Sequence, residues 1–269
     1  MMNPNIPPIL YKYSSSANGI KILSDLEIKI TPPLDFNDPF DCNPSFGNPL
    51  DPSVLADPDD RHEQIAREYT DARAHLFGAL CLSAPEERYE PLLWAYYADS
   101  HQGIRIGIDT AALLRHLEAC RHLDKNHPEF VPVNYTKTRP NITPTTIDDD
   151  YHLSTMLFGA SIAKSDAWKH EQEWRLILAL RKFPVRIENQ QPRFYARIPA
   201  NVIQSITLGV HCSSKAKRCV QLILKQKAFA GVAIDFQEAT LDEKTYALRF
   251  KNSGSSGVSR TFNPPPPVQ

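Results

Sequence analysis

Glu171-Gln172-Glu173 comes nearest in this chain to a pattern for acid–base chemistry. These residues precede the apolar run from Leu176 to Leu180 and read as the entry to a strand. Alternation then places Glu171, Glu173 and Arg175 on one face, with Gln172 and Trp174 opposite. Two carboxylates so close repel unless both meet water, a cation or a ligand, and Lys164, Lys169 and Arg175 stand nearby in sequence. The plain structural alternative is a Glu173–Arg175 ion pair at a strand end.

Two other stretches spend polar and aromatic residues together. Cys81-Leu82-Ser83 is followed by Leu92 to Gly103, where Trp94, Tyr97 and His101 recur at helical spacing and offer an aromatic face to a planar ligand. The competing reading puts Trp94 and Tyr97 in the core and His101 at the helix end before Gly103. In Asn37-Asp38-Pro39-Phe40-Asp41, which follows Pro32 and Pro33, the prolines fix φ while Asn37 and Asp38 accept backbone N–H groups. That predicts a stiff loop with Phe40 buried as its anchor, either shaping a pocket or serving as a structural turn.

The elements that must position these residues form an α+β pattern. Ile9 to Tyr13, Ala17 to Ser24 and Glu27 to Ile30 read as a β-α-β opening. Leu80 to Leu82 is a short buried strand and Glu86 to Ala98 a helix. Ile104, Ile106 and Ile108 alternate along a clear strand, and Asp109 caps a helix from Thr110 to Cys120. Strands are expected at Phe130 to Tyr135, Leu176 to Leu180, Phe194 to Ile198, Ile206 to Val210, Val232 to Phe236 and Tyr246 to Phe250. Helices are expected from Asp60 to Leu76, from Leu153 to Ala163, and from Ser213 to Phe229 with Val220, Leu222, Ile223 and Leu224 inward. The organisation is a single domain over 1–252, with a mixed or antiparallel central sheet flanked by helices and insertions at 48–60 and 123–150. A Pro/Ser/Gly-rich tail over 253–269 is expected to be disordered.

Composition narrows the function classes. Lys plus Arg is 30 and Asp plus Glu is 31, a formal charge of −1, so no global field draws the chain to nucleic acid or an anionic membrane. No window approaches a membrane span, and no signal segment opens the chain, so a cytoplasmic location is expected. Five cysteines without framework spacing read as reduced thiols. His211-Cys212 with Cys219, and His116 with Cys120 and His122, lack the paired spacing of zinc sites, so no metal is expected. There is no Gly-rich phosphate loop and no nucleophile elbow, and the chain has only 10 glycines.

Six blocks taken in order resemble a bacterial family catalogued as domain of unknown function 2971. They are Leu10 to Tyr13, Phe36 to Asp41, Cys81 to Ser83, Trp94 to Ala98, His101 to Gly103 and Trp168 to Arg175. Tyr96 stands where members of that family usually carry His. The chain also resembles, more loosely, the ADP-ribosyltransferase fold. That fold opens on strand, helix and strand, places a Ser on a later strand, and sets its catalytic Glu at a strand entry. The resemblance implies NAD as co-substrate and a macromolecular target, in a defence or stress setting. Glu173 would bind a ribose hydroxyl and stabilise the oxocarbenium-like state, with Glu171 beside it. Ser83 and Tyr11 or Lys12 would hold the dinucleotide, although the fold's usual first-strand residue is Arg or His. Asn37, Asp38, Trp94, Tyr97, His101 and Arg175 complete the expected binding set. Two other classes stand beside this one: a non-catalytic module binding a nucleotide, nucleic acid or protein, and a hydrolase or nuclease gathering Asp38, Asp41, Glu171 and Glu173 around a metal.

Overall fold

The computed structural model describes residues 6–46, 70–71, 75–123, 129–142, 155 and 158–252. The expectations for the connection 48–60, most of the helices over 60–76 and 153–163, much of 123–150, and the tail 253–269 lie outside the described residues.

Three helices begin at side-chain caps. Ser15 caps α1 (Ser16–Asp25), Asp109 caps α3 (Thr110–Ala119) and Ser213 caps α4 (Ser214–Leu224), each accepting a backbone N–H from the first turn. The intervening α2 (Glu90–Tyr97) has Pro91 in its first turn, where a missing N–H costs nothing, and follows the 3₁₀ turn Glu87–Tyr89.

The strands are β1 (Ile9–Ser14), β2 (Glu27–Ile30), β3 (Ser45–Phe46), β4 (Phe77–Ser83) and β5 (Ile104–Asp109). Then come β6 (Val131–Pro132), β7 (Asn134–Thr136), β8 (Asn141–Ile142), β9 (Ala163–Ser165) and β10 (Glu173–Ala179). Last are β11 (Val185–Glu188), β12 (Gln191–Arg197), β13 (Ile203–Leu208), β14 (Asp235–Leu241) and β15 (Leu248–Asn252). Among the described residues eight strands form one mixed sheet in the order β15-β14-β13-β5-β1-β4-β10-β6. Its one parallel pair is β13–β14, reached by the crossover through α4. This is the α+β architecture, with a mixed central sheet and flanking helices, that the sequence pattern predicts.

The β-α-β opening divides between two sheets, since β1 lies within the large sheet while β2 pairs with β12 beside β11. The reason lies in a fork. Strands β1 and β4 share one register pair, Tyr11 with Ser83, and beyond it Thr31 bridges Ala79, so the chain after β2 takes over the pairing with β4. The expected strand Phe130 to Tyr135 is likewise split, because β6 pairs with β10 and β7 with β9. The last helix stops at Leu224 and leaves Leu222 exposed, while Val220 and Ile223 are buried.

Side-chain alternation gives the large sheet two unlike faces. Leu10, Leu82, Ile104, Ile106, Ile108, Leu176 and Leu178 form the main core with Leu23 of α1, Leu113 and Leu117 of α3, and Val220 of α4. On the other face Tyr13 packs with Leu93, Trp94 and Ala98 of α2 and with Leu248. Among the described residues no helix is long and apolar enough to cross a membrane.

Candidate functional site

The second face carries the polar residues. Tyr11 on β1, Ser83 on β4 and Glu173 on β10 occupy one register row across three adjacent strands, and all three line a cavity of about 300 Å³ in the fork. Lys12, Asn37, Tyr97, Glu171 and Arg175 line it as well. Lys12 donates its Nζ at 3.2 Å to the carbonyl of Cys81, in the stretch of β4 that has lost β1 as a partner.

The carboxylates converge, but by a different route from the one alternation suggests. Glu171 ends the 3₁₀ segment Asp166–Glu171, Gln172 takes left-handed backbone angles with φ 44°, and β10 starts only at Glu173. Gln172 is pinned in that turn, accepting from the Glu86 N–H at 3.1 Å and donating to Glu86 Oε1 at 2.7 Å. The N–H of Glu173 donates to the Tyr135 hydroxyl at 2.8 Å.

Between the two carboxylates stands Lys164, from β9. Its Nζ lies 2.5 Å from Glu171 Oε2, 3.1 Å from Glu173 Oε2 and 3.5 Å from Asp41 Oδ2. Arg175 donates Nε to Glu173 Oε1 at 2.8 Å and Nη2 to Asp41 Oδ2 at 2.7 Å, with Nη1 on Asp41 Oδ1 at 2.8 Å. The ion pair expected at the strand end is present, buried within a larger cluster.

Three carboxylates thus meet two cations, and the surplus falls on Glu171. Burial pushes its carboxyl above the usual range; Lys164 pulls it back and Glu173 pushes it further up. Burial also works to raise Glu173, but the Arg175 guanidinium and then the Lys164 ammonium hold it well below the usual carboxylate range. Tyr97 donates its hydroxyl to Glu171 Oε1, and burial followed by the Glu171 charge pushes its own pKa up. Glu173 is therefore held as a carboxylate, while Glu171 keeps a proton more readily than an ordinary carboxyl.

Three expected residues lie elsewhere. Trp94 is completely buried, with Nε1 on Glu90 Oε2 at 3.3 Å and its ring edge-on to Tyr13, so it cannot face a ligand. His101 falls beyond the end of α2 in a turn with φ 67°, its ring stacked on Trp94 away from the cavity lining. Asp38 is buried with Oδ1 accepting the Phe40 N–H at 2.9 Å, so it shapes the loop instead of lining the cavity. Phe40, expected inside, is 60% exposed beneath the Arg139 guanidinium. The loop is anchored by Asp41 on Arg175 instead. The metal reading meets the same cluster: the carboxylates converge on the Lys164 ammonium, and Asp38 does not join them.

Sequence reasoning named Lys164 only as a neighbour in sequence. Its one advance signal was a lone lysine seven residues before Glu171, and that spacing acquires meaning only once β9, the 3₁₀ segment and the left-handed turn fold it back. No curated protein and no solved structure matches the chain. Residues 93–176, which supply Tyr97, Lys164, Glu171, Glu173 and Arg175, match the family model described as protein of unknown function (DUF2971), which supports that family and names no activity.

Proposed function

We propose that the chain is an NAD-dependent enzyme resembling the ADP-ribosyltransferases, acting on a macromolecular target. The observation that carries this reading is the row Tyr11–Ser83–Glu173 across three neighbouring strands at the wall of one cavity. The cavity suits the nicotinamide and ribose end of the dinucleotide, with the remainder over its rim. Among the described residues Lys12 has a carbonyl partner and no carboxylate, which leaves its ammonium to oppose phosphate charge.

The glycosidic C–N bond would break with its electron pair leaving on nicotinamide, and the ribose carbon would bond the acceptor's nucleophile. Glu173, kept ionised by Arg175 and Lys164, faces the positive charge that develops on the ribose. Ser83 and Tyr11 orient the sugar, and Glu171 takes the proton the acceptor gives up.

One observation favours a second reading, a non-catalytic binding module: both Glu173 oxygens are already held by Arg175 and Lys164. Incubation with NAD separates the two. The enzyme reading expects released nicotinamide from the native chain and none from Glu173→Gln, with NAD still bound by the variant. Binding without release in the native chain would support the second reading, and absence of both would sink the enzyme reading and exclude NAD as the module's ligand.

A further inference from the structure

The cavity wall carries opposite charge in two places. Where Asp41, Glu171 and Glu173 gather, they outnumber Lys164 and Arg175. Elsewhere on the lining the count reverses, because Lys12 and Lys29 face it with a single further carboxylate, Asp35. Asp35 Oδ2 accepts from Lys29 Nζ at 3.2 Å and also from Arg193, a residue of β12 that is not in the lining. Three cations thus stand against one carboxylate, a surplus of two positive charges.

The fork explains why these charges collect there. Strands β1 and β2 part along β4, between the Tyr11–Ser83 pair and the Thr31–Ala79 bridge, and Cys81 lies in the gap. Lys12 shares its strand parity with the core residue Leu10, yet its ammonium reaches the Cys81 carbonyl at 3.2 Å and the residue lines the cavity. A lysine stem laid along apolar surface and ending on one carbonyl keeps further N–H donors for a ligand. Lys29 faces the same space from β2, the other arm of the fork.

We propose that the Lys12–Lys29 part of the wall is a subsite for a phosphate group, either a pyrophosphate bridge or a terminal phosphomonoester, with Asp35 as the internal anion that competes for it. Charge selects phosphate: such a group brings about two negative charges at neutral pH and several acceptor oxygens, whereas a carboxylate ligand brings one charge. Lys29 and Asp35 are 35% and 18% exposed, so an anion can reach them without opening the core. The subsite needs no step of the transferase reading and draws on β2 and β12, outside the large sheet that carries the Tyr11–Ser83–Glu173 row.

The test is calorimetric titration of the full chain with inorganic pyrophosphate. Lys12→Met and Lys29→Met should each weaken binding about fivefold or more, and Asp35→Asn should tighten it about threefold by removing the competing charge. Arg88→Met, whose cation pairs with Glu86 outside the cavity lining, should leave binding within about twofold. Tightening is the decisive result, because loss of a merely structural carboxylate does not strengthen a ligand's hold. Should Lys12→Met fail to fold, the part-exposed Lys29 and Asp35 variants decide alone. No saturable binding, lysine variants that bind like the native chain, or binding by Asp35→Asn that is unchanged or weaker would overturn the proposal. Displacement of pyrophosphate by ADP-ribose ahead of AMP assigns the group to a pyrophosphate bridge and the reverse order to a phosphomonoester; displacement by neither overturns the subsite. If NAD yields no nicotinamide while pyrophosphate binds as described, the transferase reading fails and the subsite stands.

Discussion

Arg175 on β10 and Arg105 on β5 lie on the same face of the large sheet, both buried and both bonded to carboxylates. Arg105 meets a single carboxylate, Glu90 at 2.5 Å, with Thr207 at 3.2 Å, and it is closed between the rings of Tyr11 and Phe250. Trp94 holds the other Glu90 oxygen, so that cluster is balanced and sealed. Arg175 shares Lys164 with three carboxylates and borders the cavity. A buried arginine is thus no mark of a site. What separates the two regions is a carboxylate in excess of the cations and a wall open to a ligand.

The largest effect should come from Arg175→Met, which strands Asp41 and Glu173 without their main counter-ion. Breaking a buried pair of this kind costs about 3 to 5 kcal/mol, read as a shift in urea midpoint at constant slope. A loss under about 1 kcal/mol would show that the cluster does not tie the loop to β10. Arg105→Met should cost less, because one isolated carboxyl can take up a proton, and adding Glu90→Gln should restore most of the loss. Rescue of Arg175→Met by a single Glu173→Gln change would erase the distinction, since Asp41 would still lack its partner.

Acid titration sharpens the contrast inside the Arg175 cluster. Glu173 has a folded value below its ordinary 4.5, so its contribution is fully present above that pH and is lost as pH falls toward the depressed value. Glu171 has a raised folded value, so its contribution is fully present below 4.5 and is lost as pH rises through the raised value. Glu173→Gln should therefore reduce the sensitivity to acid, while Glu171→Gln should remove a loss that sets in on the less acidic side. Stability curves against pH for both variants check this, and parallel curves would contradict it.

The sequence exposed what depends on local pattern. Ile104 to Asp109 and the Asp109 cap were legible because alternation and capping act over a few residues. The meeting of Tyr11, Ser83 and Glu173 was expected only from the looser fold resemblance, since their strands are far apart in sequence, whereas Glu171 and Glu173 were set together by alternation. The position of Lys164 was hidden by the left-handed turn at Gln172, which alternation cannot foresee. The alternation of Ile104, Ile106 and Ile108 does not tell what covers the opposite face, where Arg105 lies buried against Phe250. Trp94 and Tyr97 shared a helical stripe on paper, yet helix α2 turns one into the core and the other to the cavity wall.

Phe40 offers the smallest expected effect and tests which residue fixes the loop. A Pro-bounded turn carrying one aromatic suggested a ring anchor, for which removal would cost about 3 to 5 kcal/mol. Here Asp41 accepts both Nη groups of Arg175, Asp38 holds the Phe40 N–H, and Arg139 donates to the carbonyls of Asn43 and Pro44, while the ring lies outside. Phe40 retains the Arg139 guanidinium 5.8 Å from its centroid, a contact worth about 0.5 to 1 kcal/mol at an exposed position. Phe40→Ala should therefore cost no more than that, whereas Asp41→Asn, which weakens the bond to Arg175, should cost several times as much. Equal losses for the two variants would return the anchor to the ring and detach the loop's rigidity from the Arg175 cluster.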